Sequence, residues 1–186
     1  MNPDFVFKLI TAGQGGVGKT TMLHRYIEGT FLYDTKMTIG VEIFNKEFQH
    51  RGADISLQLW DFGGQERFRF FLDSFVMGAA GAFLMFDLTR FDSLEGLHDW
   101  IGIVRKDNPT LPLVLLGSKY DLIENSHGMV IPEESIKYFM DQYNIRSFLR
   151  VSAKSGLNVE EAFGTLVDQI IEAKGLSLPT SIQAVE

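Results

Sequence analysis

Two rhythms of apolar residues alternate along the chain. Short apolar runs are separated by longer stretches in which apolar positions recur every three or four residues, the spacing of one helix face. FVFKLITA (5–12) reads as a first strand. VEIFNKEFQH (41–50) and ADISLQLWDF (53–62) are separated by Arg51 and Gly52, which predicts a hairpin and one strand antiparallel to the rest. GAFLMFDL (81–88) and LPLVLLGS (111–118) are continuous apolar runs, as expected of strands covered on both faces. RSFLRVS (146–152) is a shorter last strand.

Helices fill the intervals. One follows the glycine-rich segment after strand one. A second is capped by Asp92 or Ser93 and runs towards Lys106, and a third opens with Pro132, Glu133 and Glu134. The last starts from a cap at Asn158, and its stripe of Val159, Ala162, Phe163, Leu166, Ile170 and Ile171 reads as core. This alternation predicts an α/β fold: a mostly parallel six-stranded sheet with one antiparallel strand and helices on both faces. Residues 1–175 form one domain, and 176–186 read as a short flexible tail.

Composition narrows the class. The chain has 186 residues, 45% of them apolar and 22% charged, the profile of a soluble globular protein with a sizeable core. A net charge of −7 argues against nucleic acid or an anionic membrane as a general partner. There is no cysteine, so disulfides, thiolate metal sites, prenylation and palmitoylation are ruled out for this sequence. No apolar run approaches the ~18 residues of a membrane span, and the N-terminus lacks the pattern of a signal peptide. The expectation is a cytoplasmic monomer without a direct lipid anchor, reaching membranes only through a protein partner.

The chemistry starts at GQGGVGKTT (13–21), which fits G-x-x-x-x-G-K-S/T directly after a strand. Gly13, Gly15, Gly16 and Gly18 let the backbone approach a phosphate and aim N–H groups at it. The helix starting near Lys19 adds its positive end. The Lys19 ammonium reaches β- and γ-phosphates, and the Thr20 hydroxyl suits Mg²⁺. A second stretch, LWDFGGQERF (59–68), supplies what a phosphate holder lacks. Asp61, at the end of a buried strand, is placed to contact Mg²⁺ directly or through water. Gly64 can turn its N–H towards a γ-phosphate. Gln65 can orient an attacking water, and positioning is most of what phosphoryl transfer requires.

With these motifs in register, and with TIGVE (38–42), GSKYD (117–121) and SAK (152–154), the chain resembles the Ras-like small GTPases, P-loop NTPases with a small G domain, and among them the Rab branch. The resemblance spans nearly the whole chain. It implies a GTPase that alternates between GTP and GDP as a molecular switch, slowly hydrolysing GTP with Mg²⁺. Lys19, Gly64 and Gln65 would be its catalytic residues. Nucleotide would lie against Gly15, Gly16, Val17, Gly18, Lys19, Thr20 and Thr21, with Phe31 stacked on the base. Thr38 would give its hydroxyl to Mg²⁺, alongside Thr20 and Asp61, and its N–H to the γ-phosphate. Ser118, Lys119, Asp121, Ser152, Ala153 and Lys154 would form the base site. Residues 31–40 and 61–75 would be switches ordered by γ-phosphate and Mg²⁺. An effector, an exchange factor and a GTPase-activating protein are the implied partners. Guanine itself agrees with Asp121: its N1–H and exocyclic amine lie side by side, and one carboxylate accepts both.

The sequence departs from the family in three places. Ser118 stands where N-K-x-D has Asn, and its shorter hydroxyl can serve only one of two tasks, bonding the base or tying the base loop to the phosphate loop. Gly63 replaces the Rab alanine and is expected to loosen the switch. The prenylated cysteines are absent. Trp60 and Phe75 match two members of the Rab aromatic triad, with Ile43 in place of the third. Phe62, Phe68, Phe70, Phe71 and Phe75 crowd a segment that must move, so part of them is expected to form an exposed effector patch. The four histidines lack metal spacing. A nucleotide-locked scaffold with little hydrolysis is the alternative class, and a P-loop kinase or ATPase a third.

Overall fold

The computed structural model describes residues 2–33, 36–65, 69–124 and 131–178. Its six strands form one sheet in the order β2-β3-β1-β4-β5-β6. β1 (Phe5–Ala12) lies between β3 (Ala53–Phe62) and β4 (Gly81–Asp87), parallel to both. β5 (Leu113–Ser118) and β6 (Ser147–Arg150) continue the sheet in parallel beyond β4. β2 (Val41–His50) runs antiparallel to β3, with Val41 opposite Phe62 and His50 opposite Ala53. The hairpin turns at Arg51 and Gly52, whose φ angles of 49° and 83° are those of a two-residue turn matched to the strand twist.

Residues of the inner strands alternate between two cores, as the pleat requires. Leu9, Leu57, Phe83 and Leu116 pack in the core shared with α1 (Lys19–Glu28) and α6 (Val159–Lys174). Ile10, Leu84, Phe86 and Leu115 pack in the one shared with α2 (Arg69–Val76), α4 (Leu97–Val104) and α5 (Glu133–Tyr143). The stripe expected on α6 is buried throughout. Leu176 and Leu178 pack against the same core, and residues 179–186 lie outside the described residues.

Two sequence expectations need correction. The helix drawn towards Lys106 is two helices, α3 (Phe91–Glu95) and α4, separated by Gly96. The side chain of Gln14 lies against that joint, and a Cβ on Gly96 would sit 2.2 Å from its Nε2. Neither Asp92 nor Ser93 caps α3; Arg90 holds the position. The buried Ser93 hydroxyl instead accepts from the Asp87 N–H at 2.9 Å and donates to the Arg90 carbonyl at 2.6 Å. Asn158 does occupy the first cap of α6, yet makes no capping bond. Its amide donates to the Arg150 carbonyl at 2.8 Å and so ties α6 to the end of β6.

His24, His50 and His98 are partnered by Glu28, Asp168 and Tyr143, while His127 lies outside the described residues. No helix among the described residues is long and apolar enough to cross a membrane. The topology sets the site. From β1 the chain builds β2 and β3 on one side and β4 to β6 on the other. Such a reversal opens a crevice at the carboxyl ends of the strands.

Candidate nucleotide-binding site

The loop from β1 to α1 ends at Gly18, the cap of α1, with φ 97°. Lys19 begins the helix and is almost fully buried. Its ammonium folds back onto the loop and donates to the carbonyls of Gly13 and Gln14, both at 2.8 Å. Burial lowers its pKa to about 8; Asp61 pulls the other way, and Arg90 adds to the depression. A buried cation above a helix N-terminus, its burial incompletely compensated, favours an anion there.

Thr20, Thr38 and Asp61 arrive from α1, from the loop before β2 and from the end of β3. The two hydroxyls stand 2.7 Å apart. Thr38 donates to Asp61 Oδ2 at 3.3 Å, and Thr20 donates to the same oxygen. Asp61 is wholly buried, and its Oδ1 has no hydrogen-bond partner among the described residues. Burial raises its pKa, against the smaller opposing pull of Lys19 and the two threonines. An all-oxygen set with one orphaned buried carboxylate oxygen fits a small hard cation such as Mg²⁺, which needs few protein ligands and keeps several waters.

The same cleft, about 240 Å³, is lined by Gly15, Lys19, Thr20, Lys36, Thr38 and Gly64. The glycine pair at its edge works by close approach. Gly63 donates its N–H to the Gly40 carbonyl at 2.8 Å, and a Cβ there would lie 2.7 Å from the Thr38 carbonyl. A Cβ on Gly64 would lie 2.2 Å from the Gly15 nitrogen. For Gly63 this close approach has a structural use. It admits a contact between the Thr38 loop and the end of β3 that a side chain would block. Gln65 follows, its amide 2.7 Å from Met37 Sδ across the cleft.

A second cleft of about 400 Å³ shares Gly16, Gly18 and Thr21 with the first. Phe31, Lys119, Asp121, Ala153 and Lys154 line it, as do Val17 and Ser118. The Asp121 carboxylate is held by the fully buried Ser152, whose hydroxyl donates to Oδ1 at 2.7 Å. Lys119 has a left-handed backbone, φ 59°, and sets its ammonium 2.7 Å from Asp87 Oδ2. The Ser118 hydroxyl lies 2.6 Å from the Val17 carbonyl and 2.8 Å from that of Phe86. Of the two tasks open to it, it performs the tie between β5 and the phosphate loop. Ser118→Ala removes that tie. One neutral hydrogen bond is worth about 1 kcal/mol, so GDP is expected to dissociate about fivefold faster. A chase of fluorescent GDP checks this, and an unchanged off-rate would show that the tie carries no strain from the nucleotide.

Sequence reading missed three supporting residues. Arg25 on α1 donates to the Gly29 and Ala153 carbonyls, both at 2.6 Å, and to that of Lys154, fixing the loop that lines the base cleft. Nothing in a helical arginine announces such partners. Asp87 and Arg90 were more visible. An acid closing a fully apolar strand is seldom buried without partners. Asp87 accepts from Thr89 N–H and Oγ1, Arg90 Nε and Lys119 Nζ. Burial alone would raise its pKa, but Lys119 and Thr89 together hold it below the usual carboxylate value.

Residues 8–172 match the family model of the Ras family. The fission yeast Schizosaccharomyces pombe has a relative, GTP-binding protein ypt1, that is 38% identical over 94% of this chain and 86% of its own length. The Ras-related protein Rab-7b of Bos taurus is 39% identical over 88% of this chain and 82% of its own. The Ras-related protein RGP2 of Oryza sativa subsp. japonica is 35% identical over 89% and 75%. The chain belongs to the Ras family. It is a Rab-like small GTPase, and it carries no cysteine.

Proposed function

We propose that residues 1–175 are a GTP/GDP switch, binding guanine nucleotide with Mg²⁺ and slowly hydrolysing GTP to GDP and phosphate. The observation that carries this reading is the meeting of Thr20, Thr38 and Asp61, with an unpaired buried Asp61 oxygen, from three separate segments. Thr38 belongs to such a cluster only while its loop is closed.

Thr20 and Thr38 would hold Mg²⁺ through their hydroxyls, with Asp61 contacting it directly or through water, and the ion would neutralise charge on the phosphate oxygens. Lys19 leaves the carbonyls of Gly13 and Gln14 for the β- and γ-phosphates. The N–H groups of Gly15, Gly16, Val17 and Gly18 cradle the same oxygens, and Thr21 lies beside them. Gly64 offers its N–H to the γ-phosphate, and Gln65 orients the attacking water. Phe31 stacks on the base, Asp121 accepts guanine's two donors, and Ser118 steadies the junction. Ala153 donates its N–H to the base while Lys119 and Lys154 pack around it. Slow turnover is expected because Gln65 adds no positive charge to the transition state, and a GTPase-activating protein would supply that charge.

In the GTP state, residues 31–40 and 61–75 present the effector surface. Ile43 and Phe75 are exposed, with the Phe75 ring centroid 5.8 Å from that of Trp60. The Lys8 ammonium sits 3.7 Å from the Trp60 ring centre. This apolar face suits a partner that reads the switch as a monomer and carries it to its site of action. Phe68 and the side chains of Phe70 and Phe71 lie outside the described residues. Hydrogen exchange tests the reading: amides of 31–40 and 61–75 should be protected with a non-hydrolysable GTP analogue and exchange faster with GDP. Equal protection in both states would favour the locked scaffold.

A further inference from the structure

Arg90 lies outside every motif, yet it touches the phosphate loop. It leaves β4 just beyond Asp87, its N–H donating to the Asp87 carbonyl at 2.9 Å and its own carbonyl accepting from Ser93. From this fixed backbone the guanidinium divides between two acceptors. Nε faces the buried Asp87 Oδ2 at 3.3 Å, and Nη2 donates to the Gly15 carbonyl at 3.2 Å. Asp87 Oδ2 also receives the Lys119 ammonium. One buried carboxylate thus anchors a cation of the base cleft and a cation that bonds the phosphate loop.

The Gly15 carbonyl and the Gly16 N–H belong to one planar, conjugated peptide. A guanidinium on the oxygen draws electrons through that unit and makes the N–H a stronger donor. Gly16 lines both clefts. Next to it, Gly64 presses on the Gly15 nitrogen, so this stretch of the loop is held between Arg90 and the residue preceding Gln65. Arg90 is also near enough to depress the Lys19 ammonium. Two cations that repel each other across the loop both gain from a polyphosphate.

We propose that Arg90 is a positioning residue for GTP hydrolysis: braced by Asp87, it fixes and polarises the Gly15–Gly16 peptide so that the Gly16 N–H stabilises charge developing on the phosphates. This rests on the reading of the phosphate loop given above. Its effect is largest where charge grows during reaction, and small on the ground state. The arginine fork matters, because lysine has one compact charge and cannot span both acceptors.

The test compares Arg90→Gln and Arg90→Lys with the wild-type chain, all loaded with Mg²⁺ and GTP. Arg90→Gln is expected to slow single-turnover hydrolysis about tenfold, while GDP affinity stays within about threefold. In the GDP complex, the Gly16 amide proton should move upfield by NMR, a direct reading of lost polarisation. Arg90→Lys should recover part of the rate and part of the shift. A hydrolysis rate within twofold of wild type, an unmoved Gly16 amide, or equal losses in rate and GDP affinity would overturn the proposal, the last marking a mere strut. Should Arg90→Gln fail to fold, Arg90→Lys decides alone: a slower rate at unchanged GDP affinity supports the proposal, and a wild-type rate defeats it. Absence of phosphate release from the wild-type chain would instead sink the underlying assignment of the site.

Discussion

Gln65→Leu is expected to cut single-turnover GTP hydrolysis at least about tenfold, a barrier increase of roughly 1.4 kcal/mol or more, while GTP binding stays within a few-fold. The side chain leaves the backbone at a defined point, because Gly64 packs on the Gly15 nitrogen too closely for a Cβ. From there the amide reaches Met37 across the phosphate cleft. On the proposed function, that cleft is where a water would approach a terminal phosphate. Leucine keeps much of the volume and loses all hydrogen bonding. It cannot orient a water, but it leaves Lys19, the phosphate loop and Thr20 untouched, and these are the groups proposed to bind. The loss should thus fall on the rate and spare the affinity, the pattern of an interaction made on the way to the transition state. Rapid-mixing measurement of phosphate release from preloaded protein checks it. An unchanged rate would remove Gln65 from the mechanism.

Where the sequence was legible, the information was local. The β2–β3 hairpin follows from alternation on either side of Arg51-Gly52, and the structure has the turn and the register there. The phosphate loop follows from glycine spacing between an apolar strand and a helix. Thr20 and Asp61 were each read as Mg²⁺ contacts by chemistry alone, and in the fold they meet in one hydrogen bond. What could not be read depends on contacts between distant segments. At Gly96, where one expected helix is two, the side chain of Gln14 from another loop lies alongside, and no local pattern announces it. Gly63 looked like added freedom, since a glycine carries no sign of what stands beside it; in the fold the Thr38 carbonyl does. Ser118 looked like a shortened asparagine, and only the approach of Val17 shows which of two tasks its hydroxyl takes. Arg25, Asp87 and Arg90 were passed over for the same reason. Each reaches the site through at least one partner far along the chain: Ala153 for Arg25, Lys119 for Asp87 and Gly15 for Arg90.

Asp121→Asn should weaken GTP binding about a hundredfold and abolish most of the discrimination against ATP, with ATP binding itself little changed. Guanine offers N1–H and an exocyclic amine side by side, and a carboxylate can accept from both. Charge-assisted bonds of this kind are worth about 1.5–3 kcal/mol each, and losing even part of two amounts to roughly 2.7 kcal/mol, or a hundredfold. The surroundings make the replacement worse than a simple loss. Ser152 donates its hydroxyl to Asp121 Oδ1 and in turn accepts the Ser155 N–H, so that hydroxyl is committed as a donor. An asparagine will leave its oxygen with Ser152 and turn its NH₂ group to the base. Donor then faces donor for guanine. Adenine presents no such donor pair and has little to lose. A purine with a carbonyl in place of guanine's exocyclic amine, as in xanthine, would supply an acceptor to the new NH₂. Competition of GTP, ATP and xanthosine triphosphate against one fluorescent nucleotide separates the possibilities. Loss of GTP with gain of the xanthine nucleotide is the expected result, and it also shows that the variant is folded. Retention of wild-type preference for GTP would mean that Asp121 does not read the base.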